Sequence, residues 1–177
     1  GEDVLALEAR LAKDRALARP AADRSEPAAD AARRYEQVFQ RFGRTYTGIN
    51  AATMWRLAGD RQRADALAND VLRLLDDPRS SPSGYWAAAT RAEAMLLLGD
   101  VAGAAAALQV AISADVGADG VDLASRASTR RQLALVCELD DIDPTVIDAL
   151  PVPVVLQFCG HLPGGQPGDA ARIRGAD

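Results

Sequence analysis

The chain has 177 residues and a formal net charge of −5; 49% of its residues are apolar, but only 5% are aromatic. This length suits one domain with a tail, and it is too short for a barrel enzyme or for two catalytic domains. The acidic balance argues against a general nucleic-acid binder, which needs a basic surface to displace counterions. No stretch approaches the ~18 consecutive apolar residues that a membrane-spanning helix needs.

Alanine is by far the commonest residue. Because alanine has the highest helix propensity and lets helices approach closely, the composition predicts an all-α protein with tightly packed helices.

The few residues suited to metal binding or catalysis are poorly placed for either role. The single histidine lies in a Gly- and Pro-rich tail, and Cys137 and Cys159 form no CxxC pair. There is no phosphate-binding Gly-rich loop and no recognisable pairing of a nucleophile with a base. We therefore predict no metal site, no cofactor, no catalytic residue and no enzymatic activity. The cysteine usage is typical of a reducing cytoplasm.

The first part of the chain is predicted to form two helices, one on each side of a linker. Residues 1–18 form the first, with Val4, Leu7, Leu11 and Ala18 near one face. Residues 19–30 contain two prolines and are predicted as a linker. A helical repeat domain is predicted from residue 31 to residue 150.

Residues 51–60 are echoed by residues 91–100, at an offset of 40. Gly59-Asp60 aligns with Gly99-Asp100, and small residues align on either side. A period of 20–50 residues is typical of a solenoid. The glycine would supply a tight turn and the aspartate would cap the next helix. The pattern predicts an α-solenoid of about seven helices in tetratricopeptide-like pairs, with a third, degraded copy that places Asp140 at the next turn.

Residues 151–177 differ from the repeats. Residues 151–159 are β-branched and apolar, which is typical of a strand. A lone strand is not stable by itself. The strand would therefore add to another sheet edge or begin a following domain.

The segment 43–53 contains the motif Tyr-x-Gly-Ile-Asn-x-Ala-Thr, which opens a helix. With the Gly-Asp turns, a Tyr-Trp helix and a Ser-Thr-Arg-Arg-Gln-Leu helix, it resembles the tetratricopeptide-type TRAFs-binding domain over about residues 28–140. That family occurs in the central regulatory region of apoptosis-signal-regulating kinases and in bacterial multidomain proteins. The resemblance implies a regulatory role. It also likens residues 155–161 to the start of a Rossmann-like sensor domain, although the residues after Gly160-His161 depart from that pattern. Because the sequence looks bacterial, the resemblance does not imply that this chain binds TRAF proteins.

Two candidate sites follow from the repeats. Asn50, Thr90 and Arg130 occupy equivalent positions in three successive units and would line a groove that binds a peptide. The alternative is that Asn50 caps a helix and Arg130 makes a structural ion pair. A basic patch of Arg126, Arg130, Arg131 and Gln132 could bind a phosphate or a carboxylate, or it could supply internal partners to acidic groups.

The remaining motif residues are expected to serve turns and packing. Trp55, Tyr85 and Trp86 are predicted in the core, and Tyr46 is predicted to pack or to hydrogen-bond a helix end. The other positions of this kind are Gly48, Asn50, Gly59, Asp60, Gly99 and Asp100.

The sequence therefore predicts a non-enzymatic, cytoplasmic interaction or regulatory module within a multidomain signalling or defence protein. Its partner would be a protein, a peptide or a domain fused in the same polypeptide, with no nucleic acid and no membrane involved. The alternative prediction is that the chain senses a small anionic, nucleotide-type ligand.

Overall fold

The computed structural model describes residues 1–79, 84–114 and 123–151. All regular secondary structure within these ranges is helical, so the all-α prediction is confirmed. The strand predicted at 151–159 lies, apart from its first residue, outside the described residues. The helices are α1 (Glu2–Leu17), α2 (Ser25–Phe42), α3 (Thr45–Ala58), α4 (Arg61–Asp76), α5 (Tyr85–Leu97), α6 (Val101–Ala114) and α7 (Leu123–Asp140), with 3₁₀ helices at Ala21–Asp23 and Pro144–Ala149.

Helix α2 begins at Ser25, inside the stretch 19–30 predicted as a linker. Pro27, which suggested a break, lies in the first turn of the helix. A first-turn proline is tolerated because the N–H group that it lacks would have had no partner within the helix. The connection between α1 and α2 is therefore limited to residues 18–24.

The face of helix α1 that is buried is not the face that its apolar sequence pattern predicts to be buried. Its buried residues are Ala9 and Ala16, and α1 packs mainly against α2. Val4, Leu7 and Leu11 are exposed, at 58%, 55% and 47%. Alanines lie at the contact because they let the backbones of two helices approach closely.

The turns that follow α3 and α5 have the same geometry, 40 residues apart. Gly59 and Gly99 adopt left-handed conformations, with φ of 92° and 81°. The next residues, Asp60 and Asp100, accept hydrogen bonds from the backbone N–H groups of Arg63 and Gly103, at 3.0 and 2.9 Å. Each turn thus ends one helix and caps the next.

The third unit departs from this spacing. Asp140 is the last residue of α7 rather than a cap, and Asp141 takes the left-handed conformation, with φ of 52°. The N–H of Ile142 closes the turn on the carbonyl of Cys137 at 2.9 Å. The turn therefore falls two residues later than the repeat predicts.

Each helix from α1 to α5 packs against the next helix in the chain, and α3, α5 and α7 also contact one another. The aligned alanines Ala52, Ala92, Ala64 and Ala104 are fully buried, which fits close helix packing. No helix in the described part of the chain combines the length and hydropathy needed to cross a membrane.

Loss of the aspartate cap is expected to weaken the α3–α4 turn. Asp60→Ala should lower the free energy of unfolding by about 1 kcal/mol, because the N–H of Arg63 loses its acceptor. Urea denaturation followed by circular dichroism measures this change. Asp70→Ala is the control, since Asp70 lies in the middle of α4 and pairs with exposed Arg73; an equal loss in both variants would contradict the capping role.

Candidate interaction face on helices α3, α5 and α7

The side-by-side helices α3, α5 and α7 carry a buried polar cluster that also receives a side chain from α1. Asn50 and Thr53 come from α3, Glu93 from α5 and Gln132 from α7, and Lys13 of α1 reaches into the cluster. We call Asn50, Thr53, Glu93 and Gln132 the lysine site.

Two hydrogen bonds hold the ammonium group of Lys13. Its Nζ atom donates to Oδ1 of Asn50 and to Oε1 of Gln132, both at 2.7 Å. The amide group of Asn50 donates in turn to the carbonyl of Tyr46 at 2.8 Å. Since the Asn50 nitrogen is already used in this way, the oxygen of Asn50 is directed at the ammonium.

Glu93 is the acceptor at the centre of the cluster. Its Oε1 atom accepts from the hydroxyl of Thr53 at 2.6 Å and from the amide of Gln132 at 2.7 Å. Glu93 is only 7% exposed. The carboxyl group thus connects all three helices and provides negative charge near Lys13.

Burial changes the protonation equilibria of both charged groups. It lowers the pKa of Lys13, although the negative charge of Glu93 counteracts this effect. Burial raises the pKa of Glu93, against the opposing effects of Lys13, Thr53 and Gln132. Both shifts reflect the free-energy cost of placing a charge in a poorly hydrated site.

The raised pKa of Glu93 predicts a pH-dependent stability. The carboxyl contributes stability that is fully present below its unfolded value of 4.5 and is lost as pH rises through the folded-state pKa. We expect the unfolding free energy of the wild-type chain, relative to Glu93→Gln, to fall as pH rises above 4.5. Urea titrations at several pH values measure this difference. Glu138→Gln, at an exposed position of α7, is the control, and a pH-independent difference for Glu93→Gln would contradict the raised pKa.

A second polar contact joins α3 to α7. Arg56 forms an ion pair with Asp140, and their side chains are 16% and 8% exposed. Burial lowers the pKa of Arg56, as does the nearby positive charge of Arg61. Together with the lysine site, this pair links α3 and α7 at two levels along their length.

The three predicted groove residues do not come together as expected. Asn50 belongs to the lysine site, and Thr90 lies half-buried on α5 one turn before Glu93. Arg130 instead turns to the C-terminal 3₁₀ helix, where Nη1 donates to the carbonyls of Ile147 and Leu150 at 2.5 and 3.2 Å. Its Nη2 atom also contacts Asp148 at 2.6 Å. Arg130 therefore has the structural role that was the alternative interpretation.

The residues of the predicted anion-binding patch do not all face one common site, because Arg130 and Gln132 make hydrogen bonds to different parts of the chain. Arg130 holds the 3₁₀ helix, and Gln132 bonds Lys13 and Glu93. Arg126 is half-buried and Arg131 is exposed. Arg130 and Gln132 are thus engaged within the chain, and they contact different neighbours.

The aromatic motif residues are placed in contrasting environments. Trp55 is buried, donates from Nε1 to Glu36 at 2.8 Å, and lies 4.5 Å beneath the guanidinium of Arg63. Tyr85 is buried, but Trp86 is 56% exposed, contrary to the predicted core position. Adjacent helical residues point about 100° apart, so Tyr85 takes the inward direction. Tyr46 is half-exposed and lies edge-on to Tyr35, with ring centroids 6.3 Å apart.

Sequence reasoning missed Lys13, Thr53 and Glu93. Two signals were available: Lys13 is the only lysine in a chain otherwise rich in arginine, and Glu93 is the only acidic residue in α5. Thr53 and Glu93 also lie 40 residues apart, so the repeat offset relates them directly.

Comparison of the chain with protein-family models, with curated proteins and with solved structures found no match.

Proposed function

We propose that this chain is a non-enzymatic protein-interaction module, built as a tetratricopeptide-like solenoid, whose face on α3, α5 and α7 receives a helix or peptide. One observation carries the proposal: this face already accepts a side chain from another helix, because Lys13 of α1 donates hydrogen bonds to residues of α3 and α7. The partner is a protein, a peptide or a domain fused to this chain.

The helical arrangement supports the solenoid interpretation. Two helix pairs, α3–α4 and α5–α6, end their first helices in the same Gly-Asp turn, and the first helices of the units contact one another. In tetratricopeptide arrays the first helices line the concave binding surface. The resemblance to the TRAFs-binding domain also favours a regulatory function for this chain.

The chemistry of the buried cluster supports binding rather than catalysis. Glu93 and Lys13, the groups with shifted pKa values in this cluster, are hydrogen-bonded to neighbouring side chains. The anion-sensor alternative has less support, because Arg130 and Gln132 are engaged within the chain.

Site-specific photocrosslinking in the native cell tests this proposal. A benzophenone amino acid in place of Thr90, on the α5 side of the face, should yield discrete covalent adducts with a partner. Val110, on α6 and 60% exposed, is the control position. Adducts that form equally at both positions, or at neither, would contradict the proposed binding face.

A further inference from the structure

Helix α1 presents an apolar stripe to solvent, which consists of Val4, Leu7 and Leu11. These side chains are 58%, 55% and 47% exposed. Their spacing of three and four residues places them on one side of the helix, so they form a continuous stripe. A single exposed leucine is ordinary, but a continuous apolar stripe on a surface is typical of a contact with another chain.

The stripe faces outward because the opposite side of α1 is packed into the core. Ala9 and Ala16 of α1 are fully buried, and α1 packs along α2. Lys13, nine residues after Val4 and therefore about 180° from it around the helix, donates to residues of the lysine site. A partner can therefore cover the stripe without moving α1 and without entering the lysine site.

Exposed residues of opposite charge lie along one edge of the stripe. Asp3 and Arg10 immediately precede its first and last residues, seven residues apart, and both are exposed. Neither forms an ion pair within the described part of the chain. On the other edge, Glu8 already has the positive charge of Arg34 nearby. One edge of the stripe thus has an available negative charge at one end and an available positive charge at the other.

A second copy of the chain fits this pattern of charges. If two α1 helices pack antiparallel about a two-fold axis near Leu7, Val4 of each copy lies opposite Leu11 of the other. In the same register, Asp3 of each copy lies opposite Arg10 of the other. Because a two-fold axis repeats every contact, the stripe covers itself and both charge pairs are complementary.

We propose that α1 forms an antiparallel, two-fold homodimer contact through Val4, Leu7 and Leu11, with Asp3 and Arg10 paired between the copies. The contact is small, because a helix of 16 residues is about 24 Å long and one face of it covers less than the roughly 800 Å² per copy of a standard interface. The dimer is therefore reversible, with a dissociation constant on the order of 100 µM. This contact goes beyond the proposed function, and it leaves the face on α3, α5 and α7 of each copy free.

Sedimentation velocity of the full chain, from about 10 µM to about 1 mM, tests the proposal. The weight-average sedimentation coefficient should rise with concentration from the monomer value towards that of a dimer. Leu7→Lys should raise the dissociation constant at least tenfold, because the axis brings two like charges together in place of two leucines. Val110→Lys, at a position of α6 that is 60% exposed, is the matched control and should leave it unchanged. A chain that stays monomeric at the highest concentration, or equal effects of the two variants, would overturn the proposal.

Charge reversal tests the antiparallel pairing. Asp3→Arg and Arg10→Asp should each raise the dissociation constant by about three- to tenfold, because both pairs then oppose like charges. An equimolar mixture of the two variants should associate more strongly than either variant alone, since each reversed charge then meets its opposite in the other variant. Circular dichroism checks that α1 stays helical. A mixture that associates no better than its components would overturn the pairing, while the crosslink from Thr90 still tests the proposed function separately.

Discussion

Replacing Glu93 with alanine is expected to lower the free energy of unfolding by about 3 kcal/mol. The substitution removes the shared acceptor of Thr53 and Gln132 and the negative charge near Lys13. Buried donors that lose their acceptor cost about 1–3 kcal/mol each, and a buried charge without a counter-charge costs more. Thr53 is fully buried, so its hydroxyl would be left without that acceptor.

Urea denaturation gives the size of this effect. Glu138→Ala is the matched control, since it removes an exposed carboxylate and should change the unfolding free energy by no more than about 0.5 kcal/mol. In a double-mutant cycle with Lys13→Met, the two losses should be less than additive by about 1 kcal/mol or more, because each side chain is costly to bury without the other. Strictly additive losses would show that Lys13 and Glu93 do not interact.

The parts of the fold that the sequence predicted depend on local signals. A left-handed glycine and a capping aspartate act within one turn, so Gly59-Asp60 and Gly99-Asp100 mark helix ends without any knowledge of tertiary contacts. The same reasoning failed at Pro27, because a proline breaks a helix interior but suits a first turn. It failed again at Asp140, because Asp141 could replace a glycine two residues later.

The lysine site could not be predicted in the same way, because its contacts join distant parts of the chain. Lys13 and Gln132 are 119 residues apart, and no local pattern specifies that the Lys13 side chain of α1 reaches Gln132 of α7. The repeat offset placed Asn50 on α3, where it belongs to the lysine site, but binding of a partner at this face stays a prediction. It misjudged Arg130, because the C-terminal 3₁₀ helix provides carbonyl acceptors that lie outside the repeat.

Helix α3 can present Asn50 and Thr53 on this face only because it lies very close to both neighbouring helices, and Gly48 makes that approach possible. A Cβ atom at Gly48 would lie 2.7 Å from the Phe39 ring of α2 and 2.7 Å from Cγ2 of Val71 in α4. Both distances are well inside van der Waals contact. Glycine in the Tyr-x-Gly-Ile-Asn motif is therefore a packing requirement.

Gly48→Ala is consequently expected to destabilise the fold by about 1–3 kcal/mol through overpacking. In an open helix interior the same change would stabilise by roughly 0.5–1 kcal/mol, because alanine has the higher helix propensity. The sign of the effect in thermal or urea denaturation therefore distinguishes a crowded position from an open one. Adding Val71→Ala should recover part of the loss by making room for the new methyl group, although Val71→Ala alone should destabilise the protein. A stabilised Gly48→Ala variant would mean that α3 is less closely held than its contacts with Phe39 and Val71 indicate, and the lysine site would then lack a rigid support.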